Sequence, residues 1–423
     1  LNTAPKPSGL LQASGLLFGM IMAANATNYL FHMLASRALG PADYGSLVSM
    51  IAVLTVLIFP SQAVQAVVAK AVAVEELHHR FDRVAALGGR ALVRVFLLGS
   101  ALSLALWLTG AYWQKFFHLG SFRPLLAVGV AAVCCLVLTV ARGLLQGLQR
   151  FGLLGANYLA DGLLRLAAGA VFFGVGWKVA AGISAYGLSA TAALLLAFIP
   201  LAGLRRERTV ATAELELPRL YRYGLPVLIS FSAFAVLTSL DVILVKHYFQ
   251  PVPAGYYSAA SIIGRAFLFL PLAMAQVLFP KASAGHAQEE KTLGLLNQSL
   301  LLTAAALAAG VLVAWVLAPF IVLTLFGAQF VQPQTLNLAR WFGLAISPLA
   351  LVYVVMQYNL AVHRTRFAWL LVGDIPLLLL GLVCCHGSLL QVLLVLGGNH
   401  SLLLGVGYAF TLRDTRREVG SGV

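Results

Sequence analysis

Long apolar runs alternate along this chain with short clusters of Arg, Lys, Pro and Gly. Crossing a bilayer core takes about 20 mainly apolar residues in a helix, and these runs supply about twelve such spans. In the first half the runs predict spans near Leu10–Leu34, Tyr44–Val72, Leu92–Trp113, Pro124–Gln146, Ala156–Trp177 and Ala180–Gly203. In the second half they predict Tyr223–Phe249, Gly255–Pro280, Leu296–Leu325, Leu338–Val362, Ala368–Cys385 and Leu389–Leu412. Between the halves, Arg205–Arg222 is the longest polar stretch and reads as a linker. The expectation is an all-α polytopic membrane protein with two six-helix bundles, residues 1–208 and 209–423.

Composition strengthens this reading. Of 423 residues, 61% are hydrophobic and 10% charged, against about 25% charged in soluble domains. The net charge of +14 would suggest nucleic acid in a soluble protein. In a multi-pass chain it reflects instead the gathering of Lys and Arg on the cytoplasmic side. One set of loops is assigned Lys6, Lys70, Arg80, Arg83, Arg90, Arg94, Arg142, Arg150, the Arg205–Arg222 cluster, Lys281, Lys291, Arg364, Arg366 and Arg413–Arg417. The alternate loops hold only Arg37, Lys115, Arg123, Lys178, Lys246 and Arg340. Both termini are therefore expected in the cytoplasm, with no nucleic-acid partner. No cleavable signal peptide is expected, because the first apolar run is long enough to span. Cys134-Cys135 and Cys384-Cys385 lie in apolar runs and read as small core residues without metal-ligand spacing.

A skeleton recurs half a chain apart. Pro60-x4-Gln65-x4-Lys70-Ala71-x-Ala73 is matched by Pro271-x4-Gln276-x4-Lys281-Ala282-x-Ala284. Ala42-Asp43-Tyr44-Gly45-Ser46 is echoed by Ala254-Gly255-Tyr256-Tyr257-Ser258, and Gln149-Arg150-Phe151 by Thr365-Arg366-Phe367. Six helices between copies mean that both halves enter the membrane from the same side. That is a parallel repeat, an architecture characteristic of transporters.

Three segments carry a family resemblance: Ser36–Gly45, Arg142–Phe151, and Asp241–Leu244 with Ala254–Ala260. In them the chain resembles the bacterial O-antigen-type oligosaccharide flippases of the multidrug/oligosaccharidyl-lipid/polysaccharide exporter superfamily. The resemblance implies two bundles around a V-shaped cavity lined mainly by helices one, two, seven and eight. It also implies a substrate, an undecaprenyl-pyrophosphate-linked oligosaccharide moved to the outer leaflet of the inner membrane for lipopolysaccharide assembly. A polysaccharide polymerase and a chain-length regulator are the implied partners. The family's Asp at 241 is often followed by Arg, whereas Val242 stands here. Two other readings compete: a multidrug/toxin cation antiporter of the same superfamily, and a membrane glycan polymerase or ligase. The last needs a long outer loop, which is not found. No P-loop, HExxH or nucleophile elbow is present, so no cofactor or enzymatic activity is expected. A proton or sodium ion is left as the coupling ion.

Ionisable residues inside spans cost about 2.5–3.5 kcal/mol at the midplane and need a reason. Asp241 and Arg265 fall about 10 Å and about 15 Å below the outer ends of antiparallel neighbours. Either Arg265 meets the pyrophosphate while Asp241 holds that Arg or exchanges a coupling cation, or the pair only locks two helices. Asp161 and Arg165 stand four apart on one helix face, which favours a pair. Arg37 sits at the outer end of helix one, to snorkel or to crown the cavity. Asp374 either takes a proton or meets a cation such as Arg340. Gln65 and Gln276 either hydrogen-bond glycan hydroxyls or stitch helices. Tyr44, Tyr256 and Tyr257 fit an interfacial aromatic belt.

Overall fold

The computed structural model describes residues 7–78, 80–202, 217–271 and 293–421, and regular structure among them is entirely helical. The chain divides into two compact units, Leu1–Gly224 and Leu225–Val423. Unit 1 holds α1 (Pro7–Ile58), α2 (Ser61–Leu77), α3 (Phe81–Leu108), α4 (Gly110–Phe116), α5 (Arg123–Gly147), α6 (Phe151–Gly174) and α7 (Lys178–Leu201). A further helix, α8 (Leu217–Leu237), crosses into unit 2. Unit 2 continues with α9 (Leu240–Tyr248), α10 (Pro251–Arg265), α11 (Leu293–Phe326), α12 (Pro333–Ala361), α13 (Phe367–Cys384) and α14 (Leu389–Ser421).

Among the described residues, nine helical segments are long and apolar enough to cross a membrane. The first of these, Gly15–Leu77, has 63 residues and would measure about 95 Å if straight, three times a bilayer core. Gly40 breaks it, with φ 71 and ψ 172, a conformation that only a residue without Cβ adopts freely. Pro41 follows and withholds the next N–H, so one run becomes two passes. α6 falls outside the nine because Asn157, Asp161 and Arg165 dilute its apolar character. α10 falls outside the nine because it has 15 residues before it tightens into a 3-10 turn at Ala266–Leu268. Counting both passes of the first segment together with α6 and α10 accounts for the twelve-span topology.

Each unit is built around its fourth span. In unit 1, α5 packs against α2, α3 and α7; in unit 2, α12 packs against α10, α11 and α14. The second, third and sixth spans thus surround the fourth in both, the pattern that a duplicated six-helix unit produces. α1 and α6 meet along a seam of glycines one heptad apart. A Cβ on Gly155 would lie 2.6 Å from the Met20 sulfur, and one on Gly162 2.1 Å from the Thr27 hydroxyl. Such seams let membrane helices approach closely enough for dispersion to hold them.

Several boundaries differ from the sequence expectation. α3 begins at Phe81 rather than near Leu92, which places Arg83, Arg90 and Arg94 on a helix instead of in a loop. At 28 residues α3 is about 42 Å long, so its cationic start extends beyond a 30 Å core. At Pro60 the second span is broken: α1 stops at Ile58 and α2 starts at Ser61. The seventh span is also broken, at Thr238-Ser239, without Pro or Gly. There the Thr238 hydroxyl donates to the Phe234 carbonyl at 3.0 Å, competing with the helix ladder. Cys384 and Cys385 are exposed at the end of α13, not core residues, whereas Cys134 and Cys135 are half-buried. Tyr44 and Tyr257 leave the aromatic belt: both are fully buried, and their hydroxyls meet His32 Nδ1 at 3.1 Å and the Asp241 carboxylate at 2.9 Å.

Candidate functional site

The densest polar cluster lies inside unit 1. Leu148–Arg150 forms a tight turn between α5 and α6, so the two helices run antiparallel from a shared end. Arg142 lies about 8 Å before the end of α5, and Asn157 about 9 Å after the start of α6. Equal depth brings them together: Arg142 Nε donates to Asn157 Oδ1 at 2.9 Å. One turn deeper, Arg142 Nη2 reaches Asp161 Oδ2, also at 2.9 Å. The other carboxylate oxygen of Asp161 accepts from Arg165 Nη2 at 3.1 Å and from the Ser189 hydroxyl of α7 at 2.8 Å. Asn157 passes the network on to the Ala193 carbonyl of α7 at 2.7 Å.

Aromatic faces cover both guanidinium groups, Tyr158 4.0 Å from the Arg142 centre and Tyr186 4.1 Å from that of Arg165. Such contacts supply about 0.5–2 kcal/mol each, well short of an ion pair in a dry bundle. Arg165 Nη1 makes a long bond of 3.4 Å to Asn28 of α1. Its Nε is buried with no hydrogen-bond partner. Two arginines therefore share one carboxylate, and the cluster carries a surplus positive charge.

Next to this cluster, Gln65 of α2 donates to Gln146 Oε1 at 2.9 Å and contacts the Tyr158 hydroxyl at 3.2 Å. It stitches α2 to α5 and α6. The stitch depends on glycines at four-residue spacing in Arg142–Gly147. A Cβ on Gly143 would lie 2.9 Å from the Gln65 carbonyl, and one on Gly147 2.6 Å from that of Ala69. The Arg-Gly-x-x-Gln-Gly pattern thus puts the close approach on one stripe and the polar groups on the next. Gln276, its repeat partner, lies outside the described residues.

In unit 2 the arrangement is balanced. Arg265 Nη2 meets Asp241 Oδ1 at 2.8 Å, while Asp241 Oδ2 accepts from the Tyr257 hydroxyl at 2.9 Å. Arg265 Nε caps the Thr238 carbonyl at 3.0 Å, an oxygen freed by the break between α8 and α9. Nη1 contacts the Ser261 hydroxyl at 3.2 Å. One cation meets one anion here. Asp374 accepts from Asn399 Nδ2 at 2.8 Å rather than meeting Arg340. Arg340 instead directs its Nε to the Trp315 carbonyl at 3.3 Å. Arg37 is exposed on α1, three residues before the Gly40 break. Sequence reasoning missed Arg142, which it assigned to a loop; the usable signal was its position five residues inside an apolar helix. Among the described residues no His, Cys, Asp and Glu cluster could hold a metal ion.

These features define an all-helical, multi-pass membrane protein with a duplicated six-helix plan. Solved structures with this fold include an inward-facing multidrug resistance MATE family transporter of the MOP superfamily, with a TM-score of 0.76 at 11% identity, covering 96% of this chain and 99% of that one. A MOP superfamily transporter from Pyrococcus furiosus matches with a TM-score of 0.67 at 15% identity over 94% of both chains. The lipid II flippase MurJ, in an inward closed conformation, also scores 0.67, at 12% identity over 95% of this chain and 87% of its own. At such identities the likeness establishes the fold. No curated protein matches the sequence. The family described as polysaccharide biosynthesis protein matches residues 10–286, and the chain belongs to that family.

Proposed function

We propose that this protein is a flippase for an undecaprenyl-pyrophosphate-linked oligosaccharide, delivering it to the outer leaflet for O-antigen-type surface polysaccharide. The observation that carries the reading is the surplus charge of Arg142, Asp161 and Arg165. An unbalanced cation inside a membrane bundle is unfavourable by a few kcal/mol unless an anion visits it, and a diphosphate is such an anion. A cationic drug would meet repulsion at the same place. Membership of the polysaccharide biosynthesis family supports the same direction. The Pyrococcus furiosus transporter of similar fold is described by a reverse polarity of its binding pocket that suggests a different function for that protein. A polymerase and a chain-length regulator downstream would consume the delivered glycan.

The test is reconstitution. Purified protein in liposomes loaded on one leaflet with lipid-linked oligosaccharide should speed its appearance to a lectin on the other side. Movement of cationic dyes with no movement of the glycan lipid would overturn the reading in favour of the multidrug alternative.

The proposed orientation has both termini in the cytoplasm of a bacterial inner-membrane protein. It puts the turn between α13 and α14 outside, and the exposed Cys384, last residue of α13, and Cys385 lead into that turn. A membrane-impermeant maleimide added to intact spheroplasts should label this pair. Labelling only after permeabilisation would invert the topology.

A further inference from the structure

Of the six cations assigned to the outer loops, four belong to unit 1, and besides Arg37 on α1 these are three residues: Lys115, Arg123 and Lys178. All three are exposed at the ends or starts of α4, α5 and α7, and none forms an ion pair among the described residues. This concentration runs against the general depletion of cations on that side. Directly beneath Arg123 lies a groove of about 720 Å³.

Two helical stripes build it. Arg123, Leu126, Ala127 and Val130 follow the i, i+3, i+4, i+7 spacing of one face of α5. Ala180, Ser184, Gly187 and Thr191 form the facing stripe of α7. Small residues make the floor, and a Cβ at Gly187 would already be in ordinary contact with Ala131. The walls are apolar and open outward, with Leu126, Val130 and Leu188 between 42% and 52% exposed. Trp177, stacked on Phe172 with ring centres 5.3 Å apart, closes the upper end beside Arg123. Tryptophan at that position is the side chain that favours the headgroup level.

The groove's length selects its occupant. From Arg123 to Val130 the α5 stripe descends about 10 Å, and from Ala180 to Thr191 the α7 stripe descends about 16 Å. One leaflet of hydrocarbon is about 15 Å deep. A single acyl chain fits that depth with its phosphate held at Arg123. A polyprenyl chain spanning more than a leaflet does not.

We infer that the face of α5, α6 and α7 is a binding site for an anionic glycerophospholipid of the outer leaflet, its phosphate on Arg123 and one acyl chain in the groove. This site is separate from the buried arginine cluster and does not depend on the transport reading. The bound lipid would brace α5 against α7, the pair that also carries Arg142 and Ser189.

The experiment compares dioleoyl phosphatidylglycerol with dioleoyl phosphatidylcholine, titrated into the purified full chain in mild detergent and read by thermal shift and native mass spectrometry. The wild type should bind the anionic lipid about fivefold more tightly, as expected for about 1 kcal/mol per interfacial cation. Arg123→Glu, a change at an exposed position, should abolish that preference while leaving phosphatidylcholine binding unchanged. Ser184→Leu, which fills the floor, should weaken both lipids. Arg90→Glu, on the exposed face of α3, should retain the wild-type preference. The inference is overturned if Arg123→Glu keeps the preference, or if Arg90→Glu loses it equally. Saturation by glycerol phosphate alone would reduce the groove to an ion site. One-for-one displacement of the phospholipid by a polyprenyl phosphate would assign the groove to the substrate's tail instead. Should Ser184→Leu fail to fold, the Arg123→Glu comparison still decides.

Discussion

Asp161→Asn should cut the amount of membrane-inserted protein more than tenfold. The carboxylate accepts from Arg142 at 2.9 Å, Arg165 at 3.1 Å and Ser189 at 2.8 Å, and thereby ties α5, α6 and α7 together. An amide keeps the shape but removes the one negative charge that, among the described residues, pairs with the two arginines. Removing one partner of a buried ion pair costs about 3–5 kcal/mol, because the remaining charge is left uncompensated. Total stabilities of about 5–15 kcal/mol leave little reserve against such a loss. Pairing Asp161→Asn with Arg165→Gln should restore part of the abundance, since Arg142 keeps Asn157 and the face of Tyr158. Quantitative immunoblotting of the membrane fraction checks both variants. Wild-type abundance of Asp161→Asn would show that the carboxylate does not hold the bundle.

Much of the fold was legible because the membrane imposes a simple rule on the chain. Apolar runs of span length must become helices, and the repeated Pro60 and Pro271 skeletons mark the duplication. Helix ends were less legible. Reading every cation as a loop residue shortened α3 by eleven residues, since a helix can project its Arg-bearing turns into the headgroups. The same habit hid Arg142. Local pairing follows from spacing, so Asp161 and Arg165 could be joined from the sequence alone, and antiparallel depth brought Asp241 to Arg265. Arg142 reaches Asp161 across two helices, and nothing in a single sequence fixes which faces of α5 and α6 meet. The breaks at Thr238-Ser239 and the burial of Tyr44 and Tyr257 were invisible for a related reason. They depend on tertiary partners, the Arg265 guanidinium, His32 and Asp241.

The two units assign opposite outcomes to the loss of an arginine. Arg265 is matched to Asp241, so Arg265→Gln strands a carboxylate that is only 2% exposed and should lower abundance. Arg165 is the surplus cation. In Arg165→Gln, Asp161 retains Arg142 and Ser189, the cluster becomes neutral, and the protein should insert at wild-type level. Transport should nevertheless fall at least tenfold, because a charge-assisted bond to phosphate contributes about 1.5–3 kcal/mol. Arg165→Lys should retain part of the activity, keeping the charge without the planar fork. The most direct measurement is therefore surface glycan per unit of inserted protein in Arg165→Gln cells. Normal insertion with at least a tenfold loss of export is the expected result; normal export at normal insertion would contradict a substrate role for Arg165.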